Sequence, residues 1–244
     1  LHFLGQVGSD DGPPGSRYNP AMLESVAPGI WCRSVPLRFF GLETGTRMTL
    51  VRLSDGRLLV HSPVPLAPGL KAEVDALGAV AGIVAPSLFH HLYVAPWAAA
   101  YPQAITACCP GLEQKRRDLP WQRILGDTPE AEWRGDVEQV FFRANTLANE
   151  VVLFHRASGT LVCSDTIFNL ARHPSPLTRA AAVLLGNRAP GATLLERLMI
   201  RDRAGARAQI DRMLAWKPQR IVLAHGEIVA SDGTEVLRRA FAWL

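Results

Sequence analysis

Between Val80 and Ala85 the chain runs six residues without one polar side chain, and a run of that length folds as a strand buried on both faces. Further strands are read at Val137 to Phe142, Val151 to Phe154, Leu161 to Cys163 and Arg220 to Ala224. Charge, Gly or Pro interrupts each one well short of the roughly 20 apolar residues that a membrane-spanning helix needs. Upstream, Ile30 to Cys32 and Met48 to Leu53 read as strands, and Ser54-Asp55-Gly56-Arg57 is a tight hairpin turn into Leu58 to His61. Helical spacing appears at Leu70, Val74 and Leu77. It returns over His91 to Ala100, Leu177 to Leu185, Leu194 to Ile200, Ala204 to Trp216 and Thr234 to Leu244. Two groups of strands, each closed by helices, predict an α/β chain with two sheets packed face to face and helices outside, a four-layer αββα sandwich; a doubly wound α/β domain is the competing arrangement. Residues 1–20, rich in Gly, Pro, Ser and Asp, read as a flexible arm, and residues 21–244 as one domain.

With 244 residues, 48 % of them hydrophobic, the chain can bury a sizeable core without disulfides. Its four cysteines show no C-x-x-C spacing, and Cys108 and Cys109 are adjacent, so the expectation is buried free thiols in a reducing, cytoplasmic setting. The net charge of +4 comes from scattered arginines, with Lys115-Arg116-Arg117 the one basic run. That pattern does not predict nucleic acid as partner, the short apolar runs do not predict a membrane, and a small-molecule substrate is left. No nucleophile elbow, P-loop or dinucleotide fingerprint is present.

Three of the predicted strands end in residues that bind metals. Ala85 leads through Pro86 and Ser87 to His90 and His91; Cys163 leads to Ser164 and Asp165; Ala224 is followed by His225. In layered α/β folds ligands bind beyond the carboxyl ends of strands, where loops converge from fixed origins. Imidazole nitrogens and a carboxylate suit zinc, with iron or manganese as alternatives, and four such groups hold one ion with room for water. Adjacent His90 and His91 can share an ion only in a loop or at a helix start. The competing explanation is structural: a capping histidine, a satisfied core histidine, and Asp165 as a turn or N-cap residue.

The order of elements, with His90-His91, Ser164-Asp165-Thr166 and Ala224-His225-Gly226-Glu227, resembles the metallo-β-lactamase superfamily over about residues 26–244. Pro36 to Glu43, Arg47 to Thr49, His61-Ser62-Pro63, Phe89 to Leu92 and Ala224 to Glu227 resemble an uncharacterised domain-of-unknown-function family within it. The resemblance implies the αββα sandwich of that superfamily. Laid on its H-x-H-x-D-H loop, the chain has Pro86 and Leu88 at the first two histidines, His90 at the aspartate and His91 at the last histidine. The histidine expected before the Val151 strand is also missing from Asn145 to Glu150. The resemblance implies that the lost histidines belong to one ion of a pair. The surviving His90, His91, Asp165 and His225 would then hold a single divalent ion.

The function expected from this set is metal-dependent hydrolysis of an ester-type or phosphoester substrate, with Glu227 or His61 accepting a proton. A non-catalytic binding protein on the same fold and an iron-dependent redox protein are the alternatives. Glu150, Asn169, His173, Arg201, Arg203 and Arg207 are secondary candidates for the cleft, and His155 is expected outside it.

Overall fold

The structure, a computed structural model, describes residues 22–244; the arm expected at residues 1–20 lies outside them. Strands β1 (Glu24–Ala27) and β2 (Ile30–Val35) are followed by a small hairpin of β3 (Arg38–Phe39) and β4 (Leu42–Glu43). Next come β5 (Thr46–Arg52), β6 (Leu58–His61), helix α1 (Pro68–Leu77), β7 (Val80–Ala85), α2 (Val94–Ala100), β8 (Ile105–Cys108), α3 (Leu112–Lys115) and β9 (Arg123–Ile124). Apart from the β3-β4 hairpin, these strands form a seven-stranded sheet in the order β1-β2-β5-β6-β7-β8-β9. Its first half is an antiparallel meander. Asp55 caps the β5-β6 turn by accepting the Arg57 amide at 2.9 Å, and Gly56 supplies the left-handed φ of +85° the turn requires. From β6 onward each link crosses over the sheet, so β6, β7, β8 and β9 run parallel.

The second sheet contains β10 (Val137–Phe142), β11 (Glu150–His155), β12 (Thr160–Val162) and, after helices α4 (Pro176–Leu184), α5 (Leu194–Met199) and α6 (Arg203–Ala215), β13 (Arg220–Val222). Helix α7 (Gly233–Ala240) follows. Its side chains divide with the two-residue period of a strand. Val137, Val151, Leu153, Val162 and Val222 join the core of the first sheet. Val140, Val152, Phe154, Leu161 and Ile221 face the opposite way, toward Ala206, Ile210 and Met213 of α6 and Leu237 of α7. Leu70 and Val74 of α1 and Val94 and Trp97 of α2 cover the outer side of the first sheet. The layers are therefore helix, sheet, sheet and helix.

The helix expected from His91 begins only at Val94, because His90 to Tyr93 form a turn. Strands β1, β3, β4 and β9 and helix α3 are too short to leave a periodic signal. Cys32, Cys108, Cys109 and Cys163 are buried and free. Among the described residues no helix is long and apolar enough to cross a membrane. Trp97 is fully buried and donates its indole N–H to the Val64 carbonyl at 2.7 Å. Trp97→Ala therefore removes a large core side chain and orphans an acceptor, at an expected cost of about 3–5 kcal/mol in chemical denaturation.

Candidate metal centre

The carboxyl ends of β7, β12 and β13 bring His90, Asp165 and His225 together in one buried cluster, with their ligand atoms within 4.8 Å of one another. The Nε2 atoms of His90 and His225 lie 3.1 Å apart. Asp165 Oδ1 stands 3.4 Å from the first and 3.7 Å from the second. Their side chains keep 5 to 10 % exposure, so the cluster is nearly sealed yet not fully closed.

Each ring is oriented from behind. His225 Nδ1 donates to the Gly45 carbonyl at 2.8 Å. A carbonyl can only accept, so neutral His225 keeps the lone pair of Nε2 facing the cluster. Phe168 stacks flat on the same ring at 5.5 Å. His90 Nδ1 lies 2.7 Å from Ser62 Oγ, and Ser62 reaches that place through a left-handed φ of +55° directly after β6. Ser87 Oγ donates to Asp165 Oδ2. Arg47, buried on β5, donates to the carbonyls of Leu223 and, at 2.8 Å, Gly226, tying down the His225 loop from both sides.

Glu150 holds the Asp165 loop. Its Oε1 accepts from the Ser164 amide and, at 2.9 Å, the Ser164 hydroxyl; Oε2 accepts from the Asp165 amide at 2.8 Å and the Thr166 hydroxyl at 2.6 Å. Burial, then the nearby charge of Asp165, pushes the Glu150 pKa up, and the donors from Thr166 and Ser164 oppose that rise. Burial also works against charge on Asp165, but His90 and His225 override it and hold this carboxyl well below the usual range. For His90, burial opposes protonation, and the carboxylates of Asp165 and Glu150 outweigh it, raising the pKa.

These residues fit a metal by the chemistry of the donor set. Two imidazole nitrogens and a carboxylate oxygen, all groups that ligate zinc, converge within 4.8 Å of one another. Zinc bound at about 2.0–2.2 Å to such atoms sets tetrahedral neighbours roughly 3.3–3.6 Å apart. The observed edges of 3.1, 3.4 and 3.7 Å bracket that spacing.

His91 is not in the cluster. Its Nδ1 lies 2.8 Å from an Arg116 guanidinium nitrogen, which can only donate, so the lone pair is engaged and neutral His91 carries its hydrogen on Nε2. Burial, then the charges of Lys115, Arg116 and His90, lowers the His91 pKa to about 4. Of the four expected donors, His90, Asp165 and His225 stand together and His91 stands apart from them. An amide oxygen can replace the Nδ1 acceptor, so His91→Asn is expected to retain the metal stoichiometry of the unaltered chain when both are measured by plasma mass spectrometry.

His61, at the end of β6, is buried beside the cluster, and its Nε2 has no hydrogen-bond partner among the described residues. Burial, then the charge of His90, lowers its pKa to about 3, so it stays neutral. Glu227 is exposed beyond Gly226, and its carboxylate has no partner among the described residues. Asn169 donates its side-chain amide to the Glu227 carbonyl at 2.8 Å and its backbone amide to the His225 carbonyl at 3.1 Å, which bolts two site loops together. His173 accepts from the Ser175 amide at the start of α4, and His155 pairs with Ser158. Arg203 stands over the Trp243 ring, and Arg207 donates to the Phe241 carbonyl. Sequence reasoning passed over Ser62, Ser87 and Arg47 and did not assign Glu150 its anchoring role. The signal for Glu150 was the pair of hydroxyl residues flanking Asp165.

The family model for Domain of unknown function (DUF4336) matches residues 29–192. No curated protein matches the chain. Among solved structures, the chain is similar to the DIM-1 metallo-β-lactamase exposed to ceftazidime, with TM-score 0.63 and 13 % identity over 91 % of this chain and 96 % of that one. It is similar to the FIM-1 metallo-β-lactamase from Pseudomonas aeruginosa in its mono-zinc form, with TM-score 0.60 and 11 % identity over 92 % and 96 %. A metal-soaked flavodiiron core from Synechocystis gives TM-score 0.62 and 12 % identity over 91 % of this chain and 60 % of that one. At such identities the likeness is one of fold, and the fold of this chain is that of the metallo-β-lactamases.

Proposed function

The chain belongs to the family described as Domain of unknown function (DUF4336), and from that premise and the geometry of its three donors we propose that it is a metal-dependent hydrolase-like enzyme with a single-ion site. His90, Asp165 and His225 hold the ion, zinc by preference and iron or manganese as alternatives. The observation that carries this reading is the convergence of two imidazole Nε2 atoms and one carboxylate oxygen at 3.1 to 3.7 Å. When bound, a divalent ion supplies Lewis acidity, lowering the pKa of a water toward ~7 and polarising an ester-type carbonyl or phosphoryl oxygen.

The protein's own groups orient and exclude. Gly45 and Ser62 fix the two imidazoles, and Glu150 and Ser87 fix the carboxylate. This outer set is what keeps ligand lone pairs on a common point. His61 has a free nitrogen beside this set, but the burial that keeps it neutral also makes it a weak base, while Glu227 reaches solvent and would accept a proton only from the rim. The substrate is taken to be a small molecule. The mono-zinc description of the FIM-1 structure supports a one-ion site on this fold.

Protein prepared without chelator is expected to carry about one ion per chain, and Asp165→Ala to lose it. Chelator should lower the melting temperature of the former and leave the latter unmoved, by linkage. A chain that carries no metal and ignores chelator would instead be a non-catalytic binder. Two histidines and one carboxylate also suit non-haem iron, and one similar fold is a flavodiiron core. A coloured protein with iron well above zinc would select that redox reading.

A further inference from the structure

Helices α4 and α5 present an apolar surface to solvent that the site does not use. Helix α4 buries only Thr178 and Ala182, and α5 buries only Glu196. Leu184 is 80 % exposed, Leu198 79 % and Leu177 64 %, with Leu194 and Leu195 about half exposed. The two helices abut: the Leu194 amide donates to the Leu185 carbonyl at 2.8 Å, and a Cβ on Gly186 would meet Leu194 at 3.1 Å. An apolar surface of this kind marks an interaction site.

Its charge selects the occupant. Between Ala171 and Arg203 the sequence has six arginines, no lysine and two acids. Of those acids, Glu196 is buried in the capping box of α5, and Asp202 caps α6 through the Gly205 amide at 2.8 Å. Arg172, Arg179, Arg188 and Arg201 are exposed. A second copy meeting this face through a twofold axis would set arginines against arginines. A protein partner is commonly anchored by Trp or Tyr, and the segment contains no Phe, Tyr or Trp. Protruding leucines, with exposed arginines in the same segment, fit the boundary of an anionic bilayer, where leucines enter the acyl region and guanidinium groups reach the headgroups. That no helix among the described residues is long and apolar enough to span bears on crossing a bilayer and not on lying against it.

We propose that the α4-α5 face docks the protein on anionic lipid surfaces. The test is co-sedimentation of the full chain with vesicles of phosphatidylcholine alone and with about 30 % phosphatidylglycerol added. Binding is expected on the anionic vesicles, weak on the neutral ones, and weakened by salt. The double variant Leu184→Ser, Leu198→Ser should lower partition tenfold or more, and Arg188→Gln about fivefold, with melting temperatures unchanged. No binding to anionic vesicles, or binding that the leucine pair does not affect, would overturn the proposal. So would self-association that disappears in the leucine pair without any lipid binding, which would give the face to a second copy.

Discussion

Gly226→Ala is expected to destabilise the protein by more than about 4 kcal/mol and to abolish metal retention. Gly226 has a φ of +98°, a conformation that side chains rarely adopt, and a Cβ there would sit 1.9 Å from the Asn169 carbonyl oxygen and 2.5 Å from its carbon. Those are backbone atoms and cannot swing aside. They belong to the contact that joins the His225 loop to the loop after Asp165, where the Glu227 amide donates to Asn169 O at 3.2 Å. Relieving the clash must separate the two loops, which carry two of the three clustered donors, His225 and Asp165. Gly135→Ala is the control: nothing lies within 4 Å of its Cβ position, and its cost is expected within about 0.5 kcal/mol. Urea midpoints and metal content of the two variants decide the matter.

Glu150→Ala is expected to cost about 3–5 kcal/mol, because it removes the acceptor of a buried charged network and leaves four donors stranded. The second consequence is functional. The Asp165 amide is held by Glu150, so losing that anchor should weaken metal affinity about 10- to 100-fold even in molecules that remain folded. Glu150→Gln offers an amide in place of the second acceptor oxygen and should fall between the two. Denaturation read beside a metal titration separates the stability effect from the affinity effect. Equal affinities in Glu150→Ala and the unaltered chain would show that Asp165 is positioned by something else.

Elements that bury whole side chains were the ones legible in the sequence. Val80–Ala85 and Val137–Phe142 are strands to the residue, since no polar side chain blurs the first and flanking charge and loop residues bound the second. The β3-β4 hairpin, with strands of two residues each, depends on pairing rather than on any period and could not be read. The site shows the same division. His90, Asp165 and His225 lie five, three and three residues beyond the ends of β7, β12 and β13, and loops leaving those strand ends bring the three together. Between adjacent His90 and His91 the sequence could not choose, since the choice rests on Arg116, a residue 25 positions away from His91. The same holds for Arg47, whose partners Leu223 and Gly226 are brought to it only by the packing of one sheet on the other. Ser62 and Ser87 are short hydroxyl residues of the commonest loop type, and only their aim at ligand atoms distinguishes them.

Anomalous diffraction from crystals of the full chain, loaded in turn with zinc, iron and manganese, addresses the cation directly. A single peak at about 2.0–2.2 Å from His90 Nε2, His225 Nε2 and Asp165 Oδ1, with His91 still turned to Arg116, is the predicted result. Crystals in which no metal gives a peak there, or in which the peak is held by other side chains, would contradict a centre built from these three donors.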